Sequence, residues 1–320
     1  MLDAAPQPTP PEQHVFSFHG TGGAFFALVL KNMVLTLLTL GIYMPWAKTE
    51  RRKFLWQNIE IDGHRLRYHG TGKELFVGYL KVAAAYALFL GLPIALRKLV
   101  GETAAMTAQL VLLVLIVAVI PYAIWGSRRY LLSRTSWRGV YFRLEGGPSE
   151  FAKTFFLGLL LTIVTLGIYA PVYANRLHKL LMNSTALGTQ KFEYRGQDLF
   201  VFKLALKNIL FSLLTLGVYS FWYRARLASY QAQETSFSGA RGQLNLTGVD
   251  LLALTFLQML GLTFTLGIAF PWIMTYSMRF VLERMRFVGN IDFSHIYQAE
   301  TSGNAAADGL ADALDLGAAL

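Results

Sequence analysis

The chain has 320 residues, of which 54% are hydrophobic and 15% are charged, and its formal net charge is +10. A soluble domain usually carries about 25% charged residues, and here most of the Lys and Arg residues follow long apolar blocks. This placement suits anionic lipid headgroups, so we expect membrane lipids and no nucleic acid as partners. The absence of cysteine excludes disulfides, thiolate catalysis and cysteine metal ligands.

Six apolar blocks are each long enough to cross a hydrocarbon core of about 30 Å as one helix. They run over 24–47, 75–96, 104–126, 151–174, 199–223 and 249–276. The sequence therefore predicts a mainly α membrane protein with about six transmembrane helices, in repeated strand-turn-helix units with short β segments between them.

A TLG sequence lies late in four of the blocks. It reads TLGIYMPW at 39–46, TLGIYAPVY at 165–173, TLGVYSFWY at 215–223 and TLGIAFPW at 265–272. The Gly and the Pro four residues later, where present, predict a bend or an end of the helix.

A second pattern, apolar-x-apolar-x-Gly, precedes the blocks. It occurs at 16–20, 66–70, 142–146, 192–196 and 244–248. Such alternation predicts a strand with one buried face, followed by a turn. Asp62-Gly63 is typical of a hairpin turn, and Glu74, Glu150, Asp198 and Asp250 favour helix starts.

These patterns divide the chain into three regions. Residues 1–13 and 298–320 are predicted to be disordered tails around a membrane domain at 14–297. About five internal repeats fill that domain, at 14–58, 59–136, 137–189, 190–237 and 238–297.

The combination of HGTG at 19–22 and 69–72 with TLGIYMPWAK and the following Arg run at 39–52 resembles the YjgN family of bacterial inner-membrane proteins. The resemblance extends over roughly 15–297. It implies a multi-pass protein of the bacterial inner (cytoplasmic) membrane, and it implies no reaction.

Six full crossings conflict with a single sheet. The loops at 48–73, 127–150 and 224–248 carry more Lys and Arg than the alternate loops and tails. The positive-inside rule then places these loops in the cytoplasm and both termini outside. Strands of one sheet must instead share a side, which requires inverted units or re-entrant blocks. We expect full crossings, because each block is long enough.

A polar stripe recurs on one face of three predicted helices. Its members are Asn32, Thr36, Thr39 and Tyr43, then Thr162, Thr165 and Tyr169, then Asn208, Ser212, Thr215 and Tyr219. Interhelical packing is one explanation, and a shared polar pathway is the other.

Four lysines fall within the apolar blocks: Lys31, Lys153, Lys203 and Lys207. All lie in the first third of their blocks, where a long side chain reaches the headgroup level. The alternative is a site for an anion or a lipid headgroup.

No enzyme chemistry is predicted. HGTG resembles part of a phosphate-binding loop, but Arg67 and Glu74 occupy positions that such a loop gives to Gly and to Ser or Thr. The histidines lack zinc-ligand spacing, and we expect no metal, no cofactor and no catalytic residue. The preferred function is movement of a small solute or lipid. The alternative is a structural or adaptor protein that binds lipids or protein partners through its strand segments and basic helix exits.

Overall fold

A computed structural model describes residues 12–291 and residue 296, in which the order strand, helix, helix, strand occurs five times. The first helices are α1 (Gly22–Leu38), α3 (Gly72–Leu99), α5 (Pro148–Val164), α7 (Asp198–Leu214) and α9 (Gly248–Phe264). The second helices are α2 (Met44–Gln57), α4 (Glu102–Ser133), α6 (Ala170–Asn183), α8 (Ser220–Gln233) and α10 (Phe270–Leu282). The strands are β1 (Gln13–Phe18), β2 (Ile59–Ile61), β3 (His64–Arg65), β4 (Arg67–Tyr68), β5 (Thr135–Trp137), β6 (Val140–Leu144), β7 (Thr185–Leu187), β8 (Gln190–Tyr194), β9 (Thr235–Phe237), β10 (Ala240–Leu244) and β11 (Met285–Val288).

The described strands form one antiparallel sheet, in the order β3-β2-β1-β11-β10-β9-β8-β7-β6-β5-β4. Its end strands, β3 and β4, are separated along the chain by Leu66 alone, so the sheet is a nearly closed ring. The predicted hairpin turn at Asp62-Gly63 is confirmed, because both residues have positive φ and link β2 to β3.

Each TLG sequence reverses the chain. The Thr39 hydroxyl donates to the Leu35 carbonyl at 2.7 Å and accepts from the Tyr43 N–H at 3.0 Å. One side chain thus satisfies a carbonyl at the end of α1 and an amide at the start of α2. The same pair of hydrogen bonds recurs at Thr165, Thr215 and Thr265.

The Leu-Gly step completes the reversal. Leu40 and Gly41 both have positive φ, and the Gly41 N–H donates to the Thr36 carbonyl at 2.8 Å, as in a Schellman motif. The two helices then run antiparallel, since Phe25 stacks on Phe54. Four helical hairpins of this kind result: α1–α2, α5–α6, α7–α8 and α9–α10.

The prediction of six single transmembrane helices is therefore wrong for four of the six blocks. The blocks at 24–47, 151–174, 199–223 and 249–276 each contain most of one helix, a turn and the start of another. Their first helices have 17 residues each, which corresponds to about 25 Å, less than a hydrocarbon core.

The second helix pair is longer. Among the described residues, α3 with 28 residues and α4 with 32 are the two helices that are long and apolar enough to cross a membrane. Val100 and Gly101 join them, and across this link Arg97 Nη2 at the end of α3 lies 2.8 Å from Glu102 Oε1 at the start of α4. The blocks at 75–96 and 104–126 lie within these helices, as predicted.

The helices also form a ring. Each packs against the next along the chain, and α10 packs against α1. Glycines allow this contact: a Cβ atom on Gly22, Gly72 or Gly248 would overlap Trp272, Trp46 or Trp222, respectively, of the neighbouring hairpin. The second glycine of each HGTG sequence therefore serves helix packing, and the Thr before it caps the helix.

All described strands lie at one end of the hairpins, because they share one sheet. The prediction that every block crosses the membrane fully is thus wrong. The placement of the termini opposite the three basic loops fails with it. The predicted tails lie outside the described residues, except that β1 already begins at Gln13. His295 also lies outside the described residues.

One predicted strand is displaced by two residues. The pattern at 244–248 predicts a strand equivalent to those at 16–20 and 142–146, but β10 ends at Leu244. Gly242 pairs with Phe287 as Phe142 pairs with Leu187, so Gly242 occupies the first apolar position. A Cβ atom there would lie 2.5 Å from the Ala232 carbonyl oxygen, which explains the glycine.

Candidate functional site

The strand ring lines an apolar chamber of about 430 Å³. Successive side chains of a strand point to opposite faces of the sheet. Residues that pair across two neighbouring strands share a face, and one such face points into the ring. The inward layer consists of Phe16, Ile61, Leu66, Trp137, Phe142, Leu187, Phe192, Phe237, Gly242 and Phe287. Nine of the ten side chains are apolar, so the chamber suits a hydrocarbon group.

Aromatic rings dominate the chamber wall. Phe192 and Phe237 stack with centroids 4.6 Å apart, and Phe16 lies 6.0 Å from Phe287. Such aromatic pairs stabilise the strand ring by more than the burial of their apolar surface alone would. The chamber was not predicted from the sequence, although the alternation of apolar residues in both strands of each pair is the signal for it.

A buried histidine, His14, lines the chamber beside Asp62. His14 Nδ1 contacts the Asp62 carboxylate, and His14 Nε2 lies 3.1 Å from the Gly289 carbonyl oxygen. These contacts tie β1 to the turn after β2 and to the end of β11. We assign His14 a structural role.

Helices α6 and α8 form the other wall. His178, Met182 and Gln231 line the chamber there. The buried His178 Nε2 makes no hydrogen bond within the described residues. Burial, and then the charge of Arg128, lower the pKa of His178, so its ring is neutral and adds no charge to the chamber at neutral pH.

The stripe hydroxyls bond within their own hairpins. Thr36 donates to the Asn32 carbonyl at 2.6 Å, Thr162 donates to the Gly158 carbonyl at 2.7 Å, and Ser212 donates to Asn208 Oδ1 at 2.8 Å. Thr39, Thr165 and Thr215 form the turns described above. The three stripes belong to three separate hairpins.

The stripe tyrosines differ from one another in their partners. The Tyr43 hydroxyl donates to Glu50 at 3.2 Å, Tyr169 lies under Arg176, and Tyr219 packs on Phe211. Each stripe tyrosine thus has a partner within its own hairpin.

The four lysines have different surroundings. Lys31 Nζ lies 2.6 Å from Glu50 Oε2, whereas Lys153 is exposed on α5. Lys203 and Lys207 line a groove of about 620 Å³ between α7, α8 and the start of α9, together with Arg226. The structure thus brings two of the predicted headgroup lysines together and adds an arginine that the sequence analysis missed.

Sequence comparisons identify the family. The model of DUF898, described as a bacterial protein of unknown function, matches residues 13–206, 189–242 and 222–313. The inner membrane protein YjgN of Escherichia coli strain K12 is 37% identical over 151 residues, which are 47% of this chain and 36% of the relative. YjgN of Salmonella typhimurium strain LT2 is 33% identical over 132 residues, 41% of this chain and 31% of the relative.

The chain thus matches only about a third of the length of these relatives. No solved structure matches it. The family match covers most of the chain, and the long apolar helices fit membrane insertion. The chain therefore belongs to the DUF898 family, the YjgN family of bacterial inner-membrane proteins.

Proposed function

We propose that this protein binds membrane lipid and holds an acyl chain in the chamber of the strand ring. The apolar chamber is the observation that carries this proposal, because its volume falls in the range of about 300–1,000 Å³ of small-molecule sites. Although His14, His178 and Gln231 lie at its wall, nearly all of the surface that lines the chamber is apolar, which favours lipid over the small solute of the initial prediction.

The hairpin turns support a position within one leaflet. The turn leucines are almost fully exposed, from 92% at Leu266 to 95% at Leu216. Leucines at the tips of four hairpins are costly in water and stable in hydrocarbon. Leu216, in the turn after α7, follows Lys207 by nine positions. At helical rise this is about 13 Å, close to half of a hydrocarbon core of about 30 Å.

The α3–α4 pair supplies the full crossing. Helix α3 is longer than its counterpart α1 by about 16 Å, the thickness of a second leaflet. The helix ends beside the α3–α4 link carry Arg97, Lys98 and Glu102, and these charges suit the headgroup level of the far leaflet. Since the sheet end carries most of the basic residues, the positive-inside rule places the sheet in the cytoplasm.

A chamber-filling variant tests this function. Full-length protein in amphipol is incubated with tritiated palmitate, and retained label is counted after gel filtration. Ile61→Trp points into the chamber and should lower retention at least fivefold. Val15→Trp, on the exposed face of the neighbouring β1, should leave it unchanged. Equal retention by both variants, with unchanged circular dichroism, would refute acyl binding in the chamber.

A membrane-shaping role is the second candidate. Four hairpins that enter one leaflet act as a wedge, whereas the opposite leaflet receives only the α3–α4 pair. This arrangement favours the structural alternative of the initial prediction. Vesicles that keep their diameter, measured by electron cryomicroscopy, as the protein density increases would exclude it.

A further inference from the structure

The groove beside the α7–α8 hairpin is lined by three cationic side chains and by no carboxylate. Lys203 and Lys207 lie one turn apart on α7, and Arg226 faces them from α8. In the part of the chain that the structure describes, none of these three side chains has an ion pair. Lys207 is held in place by the ring of Phe211, whose centroid lies 5.6 Å from Nζ.

The first hairpin shows how the same positions are neutralised elsewhere. Lys31 lies ten residues before Gly41, and Glu50 lies nine residues after it. Lys207 and Arg226 have the same spacing around Gly217. The equivalent of the Lys31–Glu50 ion pair, whose atoms are 2.6 Å apart, is therefore a lysine and an arginine.

Replacement of a carboxylate by a guanidinium leaves like charges facing each other across the hairpin. Like charges within one groove repel unless an anion lies between them. A phosphate group suits this position, because an arginine binds phosphate through paired N–H groups and a lysine adds a compact charge.

The surroundings locate the groove at the membrane interface. Tyr219 and Trp222 form part of its wall, and such amphipathic rings are typical of the headgroup level. Lys207 also lies about half a hydrocarbon core from the tip of its hairpin. Thus the phosphate of a lipid in the hairpin's own leaflet lies within reach.

We propose that Lys203, Lys207 and Arg226 bind a phosphate group, supplied by an anionic phospholipid or by free phosphate. The lipid source rests on the proposed function and on its membrane placement. The charge pattern of the groove does not depend on the acyl chamber.

The test uses Arg226→Glu, which restores the charge pair of the first hairpin and removes the need for an anion. Arg224→Glu is the matched control, because it makes the same charge change two residues earlier on α8, outside the groove. Full-length protein in nanodiscs of phosphatidylcholine is titrated with phosphatidylglycerol, and in a separate arm with inorganic phosphate, and bound anion is measured by native mass spectrometry.

We expect Arg226→Glu to weaken binding of the phosphate-bearing species at least tenfold relative to Arg224→Glu. Loss confined to phosphatidylglycerol identifies the lipid source, and loss of inorganic phosphate binding identifies free phosphate. Equal binding by the two variants in both arms would overturn the site. Palmitate retention by Arg226→Glu stays at the wild-type level if the chamber binds acyl chains, so failure of one proposal is distinguishable from failure of the other.

Discussion

The indole of Trp272 lies directly on the backbone of Gly22, where a Cβ atom would be 2.2 Å from Trp272 Cδ1. Trp272 belongs to α10 and Gly22 to α1, so this contact joins the last hairpin to the first. Closure of the helix ring depends on this close contact between Trp272 and Gly22. The adjacent Gly23 has no atom within 4 Å of a Cβ position.

Gly22→Ala should therefore destabilise the protein by about 1–3 kcal/mol, because the methyl group overpacks the junction. Gly23→Ala is the control and should stabilise the protein by up to about 1 kcal/mol through helix propensity. Thermal unfolding of the two purified variants in the same detergent checks both signs. Equal stability would contradict a closed helix ring.

The Thr of the TLG turn should matter more than an ordinary helix threonine. Thr215→Ala removes both hydrogen bonds of the turn and should cost about 1–2 kcal/mol. Thr154→Ala on α5 is the control, because its hydroxyl makes a single bond to the carbonyl four residues earlier. A similar cost for both substitutions, in thermal unfolding, would refute the capping role.

The hairpins could not be distinguished from single spans by length alone. A block of some 24 apolar residues fits one crossing and also fits a helix, a turn and the next helix. The signal for reversal was Gly41 with Thr39, but the positive φ of Leu40 has no sequence signature. The apolar alternation predicted β6 correctly at Phe142 but placed the strand near Leu244 two residues too late. The cause is Gly242, which replaces the expected apolar residue in β10.

Neither the chamber nor the groove could be assembled from sequence spacing alone. Phe16 and Phe287 are 271 positions apart and meet only because β1 pairs with β11. Lys203 and Lys207 were visible as a pair in the sequence, whereas Arg226 joined them only through the chain reversal at Gly217. The carboxylates that open helices needed no tertiary contact, and Glu74 and Asp250 were predicted correctly.

Acid should destabilise the protein in part through His69. Burial, and then the charges of Arg67, Lys53 and Arg134, lower its pKa below the usual value. As the pH falls, His69 therefore takes up its proton in the unfolded chain before it does so in the folded chain. The stabilising contribution is full above about pH 6.5 and is lost as the pH falls toward the folded-state pKa.

His69→Gln should therefore lose less stability than the wild type between about pH 7.5 and about pH 5.5. His64→Gln, at the exposed start of β3, should behave as the wild type does. Melting temperatures at both pH values decide the comparison. A wild-type acid response in His69→Gln would show that this histidine is not the group that titrates.

The turn leucines should lie deep in the bilayer. A fluorophore on Leu216→Cys should be quenched most by lipids brominated near the acyl-chain end. The same fluorophore on Leu99→Cys, at the far link, should be quenched most by lipids brominated near the headgroup. The chain has no native cysteine, so each label is unique. Stronger headgroup-side quenching at Leu216 would contradict insertion into one leaflet.

Sidedness of two strand turns tests the account most directly. Arg138 lies in the turn between β5 and β6, and Thr189 lies between β7 and β8. Arg138→Cys and Thr189→Cys in oriented membrane vesicles should react with an impermeant maleimide from the same side, and Lys98→Cys should react from the opposite side. Six full crossings would instead label Arg138→Cys and Thr189→Cys from opposite sides, and that result would contradict the single-sided strand ring.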